Sequence, residues 1–223
     1  MSASITESLA IPAAGVVLDA DIVVPDGARG VVLFAHGSGS SRHSPRNRYV
    51  AAELQRTALG TVLADLLTLD EEQVDSRTGR LRFDITLLAV RVVALIDWLA
   101  DQETTGGLGV GLFGASTGAA AALVGAAARP GPVESVVSRG GRPDLAGEFL
   151  RLVRQPSLLI VGGRDEAVLD LNRQAMKLLP GENRLEIVPG ATHLFEEPGA
   201  LEQVAHLARD WFVRHLGRPR RDT

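Results

Sequence analysis

The sequence predicts an α/β fold in which helices cover both faces of a mostly parallel central sheet. Short apolar runs rich in β-branched residues alternate with helical segments of roughly a dozen residues. The runs are apolar on both faces, as the strands of a buried parallel sheet are. The length of 223 residues favours one large domain over two small ones. We expect a single domain over residues 1–223, with a core at about 16–216 and short flexible tails.

Each element follows from a local pattern. The predicted strands are buried apolar runs bounded by turn signals, and they lie at 16–24, 30–35, 61–67, 108–113, 133–138, 157–162 and 184–189. The predicted helices have apolar or small residues at helical spacing, and they lie at 49–60, 85–100, 117–128, 143–153, 167–179 and 199–216. Residues 68–82 are polar and are predicted to form a loop. Only residues 139–156 separate the strands at 133–138 and 157–162, which leaves no room for a large lid.

Composition excludes several functions. The chain contains no cysteine, which rules out disulfide scaffolds, thiolate metal sites and a cysteine nucleophile. A net charge of -4 provides no overall attraction to nucleic acid or to anionic membranes. No secretory signal or long apolar run is recognisable, so the expected location is the cytoplasm. We expect neither a metal nor another cofactor, and a monomer or homodimer.

A candidate nucleophile lies between the strand at 108–113 and the following helix. Residues 114–118, GASTG, match the pattern G-x-S-x-G, with Ser116 at its centre. A serine on such a strand-to-helix turn has a strained backbone and an exposed hydroxyl, and the two glycines remove Cβ atoms that would collide with the neighbouring strand and helix. The Thr117 amide would point towards an oxyanion formed beside Ser116. The alternative is a helix-capping serine in a glycine turn.

Two later post-strand loops supply partners for this serine. A serine hydroxyl needs a base to remove its proton, and the base needs an acid to orient it. Asp165 follows the strand at 157–162, and His193 follows the strand at 184–189. The chain order Ser116, Asp165, His193 is that of a known class of serine-hydrolase triads. Glu166 and Asp170 are the rival acids, and His43 is the main rival base.

Four segments carry a resemblance to a known family. They are FAHGSGSS, GLFGASTGAAAA, VGGRDEAV and PGATHLF, within a match that spans roughly residues 16–216. The chain resembles the α/β-hydrolase superfamily and, within it, the small dienelactone-hydrolase-like branch. The resemblance implies a second oxyanion amide from Ser38, with Gly39 as the neighbouring possibility, and a structural role for His36. Dienelactone hydrolases proper use a cysteine nucleophile where this chain has serine.

Two arginines suggest how a substrate could be bound. Arg42 lies in the predicted oxyanion loop, and Arg139 directly follows the strand at 133–138. A guanidinium at either position could bind a substrate carboxylate or phosphate. The alternative is that each pairs with a local acid such as Asp65, Asp75 or Asp144 and only organises the loops.

These observations predict a metal-independent serine hydrolase that acts on a carboxylic ester, lactone or thioester, with a small-molecule acyl compound as its substrate. An acyltransferase that uses the same triad is one alternative. A non-catalytic binding protein on the same fold is another.

Overall fold

Eight strands form one sheet in a computed structural model that describes residues 4–217. The strands are β1 (Ile5–Ala13), β2 (Val16–Val24), β3 (Gly30–Ala35), β4 (Gly60–Ala64), β5 (Gly109–Ala115), β6 (Val133–Arg139), β7 (Ser157–Gly162) and β8 (Asn183–Val188). Their spatial order is β1-β2-β4-β3-β5-β6-β7-β8. The strands from β4 to β8 in this order run parallel, whereas β1 and β2 pair antiparallel at one edge. The predicted fold class is confirmed.

Six α-helices flank this sheet. They are α1 (Pro45–Gln55), α2 (Leu69–Thr78), α3 (Ile85–Asp101), α4 (Thr117–Ala128), α5 (Glu166–Met176) and α6 (Ala200–His215). None of the helices within residues 4–217 combines the length and the apolar character needed to cross a membrane.

The alternation of side chains along β3 explains why the sheet has a core on each face. Val31 and Leu33 pack into the cluster that contains α3 and α4, while Val32 and Phe34 pack into the cluster that contains α1 and α6. Successive strand residues point to opposite faces, so a strand covered on both sides must be apolar throughout. All six residues of β3 are indeed buried.

The structure corrects the prediction at two places. β1 lies before residue 16, where the core was expected to begin, and it pairs with β2 over its full length. Residues 68–82 were expected to be a loop but contain α2 and a 3₁₀ turn at Leu81–Phe83. Helix α2 begins with a capping box, in which the Thr68 side chain accepts from the Glu71 amide and the Glu71 carboxylate accepts from the Thr68 amide.

The remaining differences are smaller. Helix α1 begins at Pro45, four residues before the predicted start, because Ser44 caps it by accepting from the Asn47 amide. The predicted helix at 143–153 is a 3₁₀ segment, Pro143–Leu152, that is kinked where Gly147 has a φ of 55°. That segment alone fills the interval between β6 and β7, which agrees with the absence of a large lid. Residues 1–3 and 218–223, which belong to the two predicted tails, lie outside the described residues.

The parallel strands bring their carboxyl ends to one edge of the sheet. Loops that follow β3, β5, β6, β7 and β8 therefore meet there. In chain order, these loops or strand ends carry Ser38, Ser116, Arg139, Asp165 and His193.

Candidate active site

Ser116 occupies a strained turn between β5 and α4. Its φ of 50° and ψ of -120° lie in a region that non-glycine residues rarely adopt. A Cβ at Gly114 would collide with Ala119, and a Cβ at Gly118 would collide with the carbonyl oxygens of Ala35 and His36. Both glycines are therefore required sterically, as the motif predicts. The turn leaves Ser116 partly exposed although all of β5 is buried.

The loop after β3 lies directly against Ser116. A Cβ at Gly37 would lie 2.9 Å from the Ser116 Cβ and 3.0 Å from the Ala115 carbonyl oxygen. The next residue, Ser38, has its hydroxyl oxygen 3.1 Å from the Thr117 hydroxyl oxygen, and either group can be the donor. Thr117 is the first residue of α4, so its amide has no acceptor within the helix. Both predicted oxyanion residues thus lie beside Ser116.

His36 fixes the loop after β3 through two contacts of its imidazole ring. It is 6% exposed, its Nε2 accepts from the Leu66 amide, and its Nδ1 lies 3.0 Å from the Gly37 carbonyl oxygen. Burial lowers the pKa of His36, so the neutral imidazole is favoured, with its proton on Nδ1. These contacts fit the structural function that was expected of His36.

Asp165 and His193 form a hydrogen-bonded pair. The His193 Nδ1 lies 2.6 Å from the Asp165 Oδ2, which leaves Nε2 as the ring nitrogen that can serve as a base. Asp165 follows β7 and His193 follows β8, the neighbouring strand. The His193 side chain is 39% exposed and the Asp165 side chain is 15% exposed. The acid is thus shielded while the imidazole remains accessible.

The rival residues lie elsewhere. Glu166 is exposed at the start of α5, and Asp170 pairs with Arg173 on the exposed face of that helix. His43 is exposed in the loop before α1 and does not line the Ser116 cavity.

Ser116 and His193 line one open cavity of about 280 Å³. No hydrogen bond joins their side chains in the part of the chain that the structure describes, as is common for catalytic pairs before substrate binds. Gly37 and Ser38 border the cavity on one side, and Phe83 and Leu194 add partly exposed apolar surface. The cavity can therefore accommodate a small substrate that reaches Ser116 from solvent.

The two predicted substrate-binding arginines have different environments. Arg42 pairs with Asp65 and lies 3.3 Å from Asp19 and 3.8 Å from Asp21, and it does not line the cavity. Three carboxylates surround the guanidinium, so the structure favours the alternative in which Arg42 pairs with local acids and organises its loop. Arg139, by contrast, lines the cavity.

Arg139 shares the cavity with Arg46, which sequence reasoning missed. Arg46 lies in the first turn of α1, in a stretch that was expected to be a loop. The Ser44-Pro45 pair was the available signal, since serine at the N-cap and proline at the first position mark a helix start.

No metal centre is built into the described residues. Among residues 4–217, no group of three or more His, Asp or Glu side chains is arranged to hold a metal ion.

Comparison with curated proteins gives a partial match. Two Mycobacterium tuberculosis proteins, each named "Putative phosphoribosyl transferase", are 56% identical to the chain over 213 residues. The match covers 96% of this chain and 47% of each relative, so the chain spans about half the length of these curated relatives. No protein-family model matches the chain.

Solved structures give matches over whole chains. Est1E from Butyrivibrio proteoclasticus has a TM-score of 0.78 at 15% identity, with 93% of this chain and 98% of Est1E covered. That likeness shows the fold alone. Dienelactone hydrolase from Anabaena variabilis has a TM-score of 0.94 at 55% identity, with 96% of this chain and 99% of that chain covered. Identity of this extent over nearly the whole of both chains shows that the protein belongs to the dienelactone hydrolase-like family of α/β hydrolases.

Proposed function

We propose that the chain is a serine hydrolase that cleaves a carboxylic ester, lactone or thioester. The observation that carries the proposal is the shared cavity of Ser116 and His193, with the His193 Nδ1 hydrogen-bonded to Asp165. A hydroxyl, a base and an acid that orients the base are the three groups that acyl transfer to serine needs. Membership of a hydrolase family supports the same conclusion.

In the first half of the reaction, the Ser116 Oγ attacks the carbonyl carbon of the substrate. The hydroxyl proton moves to the His193 Nε2, and the carbonyl oxygen becomes an oxyanion. The amides of Ser38 and Thr117 donate to this oxyanion, and Asp165 stabilises the imidazolium. The bond to the leaving alkoxide or thiolate then breaks, and the leaving group takes the proton from Nε2.

In the second half, a water molecule replaces the leaving group. The His193 Nε2 takes one water proton while the water oxygen attacks the acyl carbon. The second tetrahedral intermediate collapses, the bond to the Ser116 Oγ breaks, and Nε2 returns its proton to that oxygen. The products are a carboxylic acid and the regenerated enzyme.

The mycobacterial relatives are named as phosphoribosyl transferases, and phosphoribosyl transfer is a reaction other than ester hydrolysis. That name describes proteins about twice as long as the matched region, whereas the match to dienelactone hydrolase covers 99% of that chain. The geometry around Ser116 supports acyl chemistry, so we assign the hydrolase function to this chain.

Labelling with a fluorophosphonate probe tests the proposal. We expect the wild-type protein to be labelled at Ser116 and Ser116→Ala to remain unlabelled. The turnover of 4-nitrophenyl acetate should fall by several orders of magnitude in the same variant, because only the oxyanion amides and binding remain. Ser8→Ala is the matched control, since Ser8 lies on β1 and its hydroxyl donates to Asp21.

Two outcomes would contradict the proposal. One is full labelling of Ser116→Ala, and the other is an unchanged rate in that variant.

Mass spectrometry of the products in the presence of an added alcohol separates hydrolysis from acyl transfer, since only acyl transfer yields mainly the new ester.

A further inference from the structure

Arg139 is a buried cation without a partner. It is 8% exposed, and its Nε and Nη1 atoms are buried without a hydrogen bond. No ion pair or hydrogen bond from any residue between 4 and 217 reaches its guanidinium. Most arginines near the cavity differ in this respect: Arg42 pairs with Asp65, Arg82 with Asp75, and Arg142 with Asp144.

The position of Arg139 is fixed by the sheet beside the nucleophile. Arg139 ends β6 and is the parallel partner of Ala115, the residue before Ser116. Its carbonyl oxygen accepts from the Ser116 amide at 3.3 Å. The chain then turns at Gly140, whose φ is 51° and where a Cβ would lie 3.1 Å from the His193 carbonyl oxygen. Arg139 is thus held beside the proposed nucleophile, one residue before the turn that lies against His193.

A second guanidinium faces the same cavity. Arg46 lines it together with Arg139, and the Nε of Arg46 is also buried without a partner. Arg46 forms an ion pair between its Nη1 and Glu196 at 3.4 Å, and the Glu196 side chain is 64% exposed. Burial and the charge of Arg46 lower the pKa of Arg139 to about 10, so Arg139 is still cationic at neutral pH.

A buried, unpaired guanidinium beside a second one opposes folding unless another interaction offsets the cost. A buried charge loses its hydration, and a neighbour of the same sign adds repulsion. An anion in the cavity would remove both penalties, and guanidinium groups bind carboxylate or phosphate oxygens through paired, charge-assisted hydrogen bonds. The apolar surfaces of Phe83 and Leu194 line the same cavity and suit the carbon chain of a small acyl group.

We propose that Arg139 and Arg46 form an anion-binding subsite, so that the preferred substrate carries a carboxylate or phosphate besides the acyl bond that is cleaved. This inference rests on the proposed hydrolase function for the identity of the reacting bond. The existence of the subsite does not depend on it, because the two guanidiniums can bind an anion without any reaction.

Two matched esters test the preference for an anion. 4-Nitrophenyl hydrogen glutarate and 4-nitrophenyl pentanoate have acyl chains of equal length and differ in the terminal carboxylate. We expect wild-type kcat/KM to favour the glutarate ester, and we expect Arg139→Met to lower that ratio by about tenfold or more. Arg139→Lys should restore part of the ratio. Arg42→Met is the matched control and should keep the wild-type ratio, because Arg42 is committed to Asp65.

Direct binding provides a second measurement that needs no catalysis. Calorimetric titration of the wild-type protein with glutarate and with inorganic phosphate should show binding of at least one, and the tighter of the two identifies the anion. Arg139→Met should lose that binding while Arg42→Met retains it. Thermal unfolding of each variant verifies that it is folded.

The failures of the two proposals are distinguishable. Ser116-dependent hydrolysis of the pentanoate ester with no preference for the glutarate ester and no anion binding would overturn the subsite and leave the hydrolase function standing. Anion binding that requires Arg139, together with no hydrolysis of any ester, would overturn the hydrolase function and leave the subsite standing.

Discussion

The Ser38 hydroxyl lies 3.1 Å from the Thr117 hydroxyl, and this contact ties the loop after β3 to the first turn of α4. The two residues are 79 positions apart in sequence. They are also the two residues whose amides are proposed to bind the oxyanion. A hydrogen bond between their side chains can therefore control the spacing of their backbone donors.

Replacing Thr117 tests this coupling. Thr117→Val keeps the shape of the side chain but removes the bond, and we expect kcat to fall by up to about tenfold, since a neutral hydrogen bond contributes roughly 1 kcal/mol. KM should change little, because the donors act on the transition state. Thr117→Ser keeps the hydroxyl and should retain most of the activity. Equal losses in the two variants would show that the hydroxyl is not responsible.

Removing the charge of Asp165 should impair His193. In Asp165→Asn, the amide no longer stabilises an imidazolium and can donate to Nδ1, which favours the wrong tautomer. We expect kcat for 4-nitrophenyl acetate to fall by about 100-fold or more. Asp170→Asn, on the exposed face of α5, is the matched control and should behave as wild type. A wild-type rate in Asp165→Asn would contradict the proposed function of this carboxylate.

Gly37 should tolerate no side chain. The Cβ of Gly37→Ala would meet backbone and side-chain atoms at 3.0 Å or less, so either the loop or Ser116 must move. A displacement of this size misaligns the nucleophile and the Ser38 amide, and we expect at least a tenfold loss of kcat/KM. Gly131→Ala is the control, because nothing lies within 4 Å of its added Cβ. Normal kinetics in Gly37→Ala would show that the loop is more compliant than the contact distances indicate.

Asp75 should contribute to stability in a pH-dependent manner. Its carboxylate accepts from the amides of Leu81 and Arg82 and from the Arg82 Nε. Burial raises the pKa of Asp75, but these hydrogen bonds outweigh burial and lower it overall. A lowered folded-state pKa means that the stabilisation is present above the unfolded pKa of about 3.9 and is lost as the pH falls through the folded value.

Denaturant unfolding of Asp75→Asn measures this contribution. At pH 7 we expect the free energy of unfolding to fall by about 1–3 kcal/mol, because charge-assisted bonds to a buried carboxylate are lost. The difference from wild type should shrink towards pH 3. Asp170→Asn should have little effect at either pH, since its ion pair with Arg173 is exposed. A difference that is independent of pH would contradict the assignment to the carboxylate charge.

The sequence predicts the sheet and the grouping of Ser116, Asp165 and His193 for the same reason. Buried parallel strands have a strong apolar signature, and a residue that follows such a strand must lie at the carboxyl edge of the sheet. The apolar strand pattern and the position of each residue after a strand therefore predict that the three residues lie at the same edge of the sheet, before any of their contacts is known. The catalytic functions of the three side chains remain predictions.

The surroundings of the site were harder to predict because they depend on polar contacts, which leave a weaker pattern in the sequence than buried apolar strands do. Helix α2 is polar, and its apolar pattern is too weak to distinguish it from a loop without the capping box at Thr68. Arg42 and Arg139 look alike in sequence, since each lies beside the same kind of loop. Only the folded chain shows that Arg42 is neutralised by Asp65 while Arg139 faces the cavity unpaired.

β1 protects the outer side of β2. It extends the sheet by one antiparallel strand, and its nine residues cover β2 from Val16 to Val24. A protein shortened to begin at residue 16 would present the unpaired amides and carbonyls of β2 to solvent, where a second molecule could add its own strand. In shortened forms of the protein, Ile5–Ala13 therefore decide whether β1 or β2 forms the edge of the sheet.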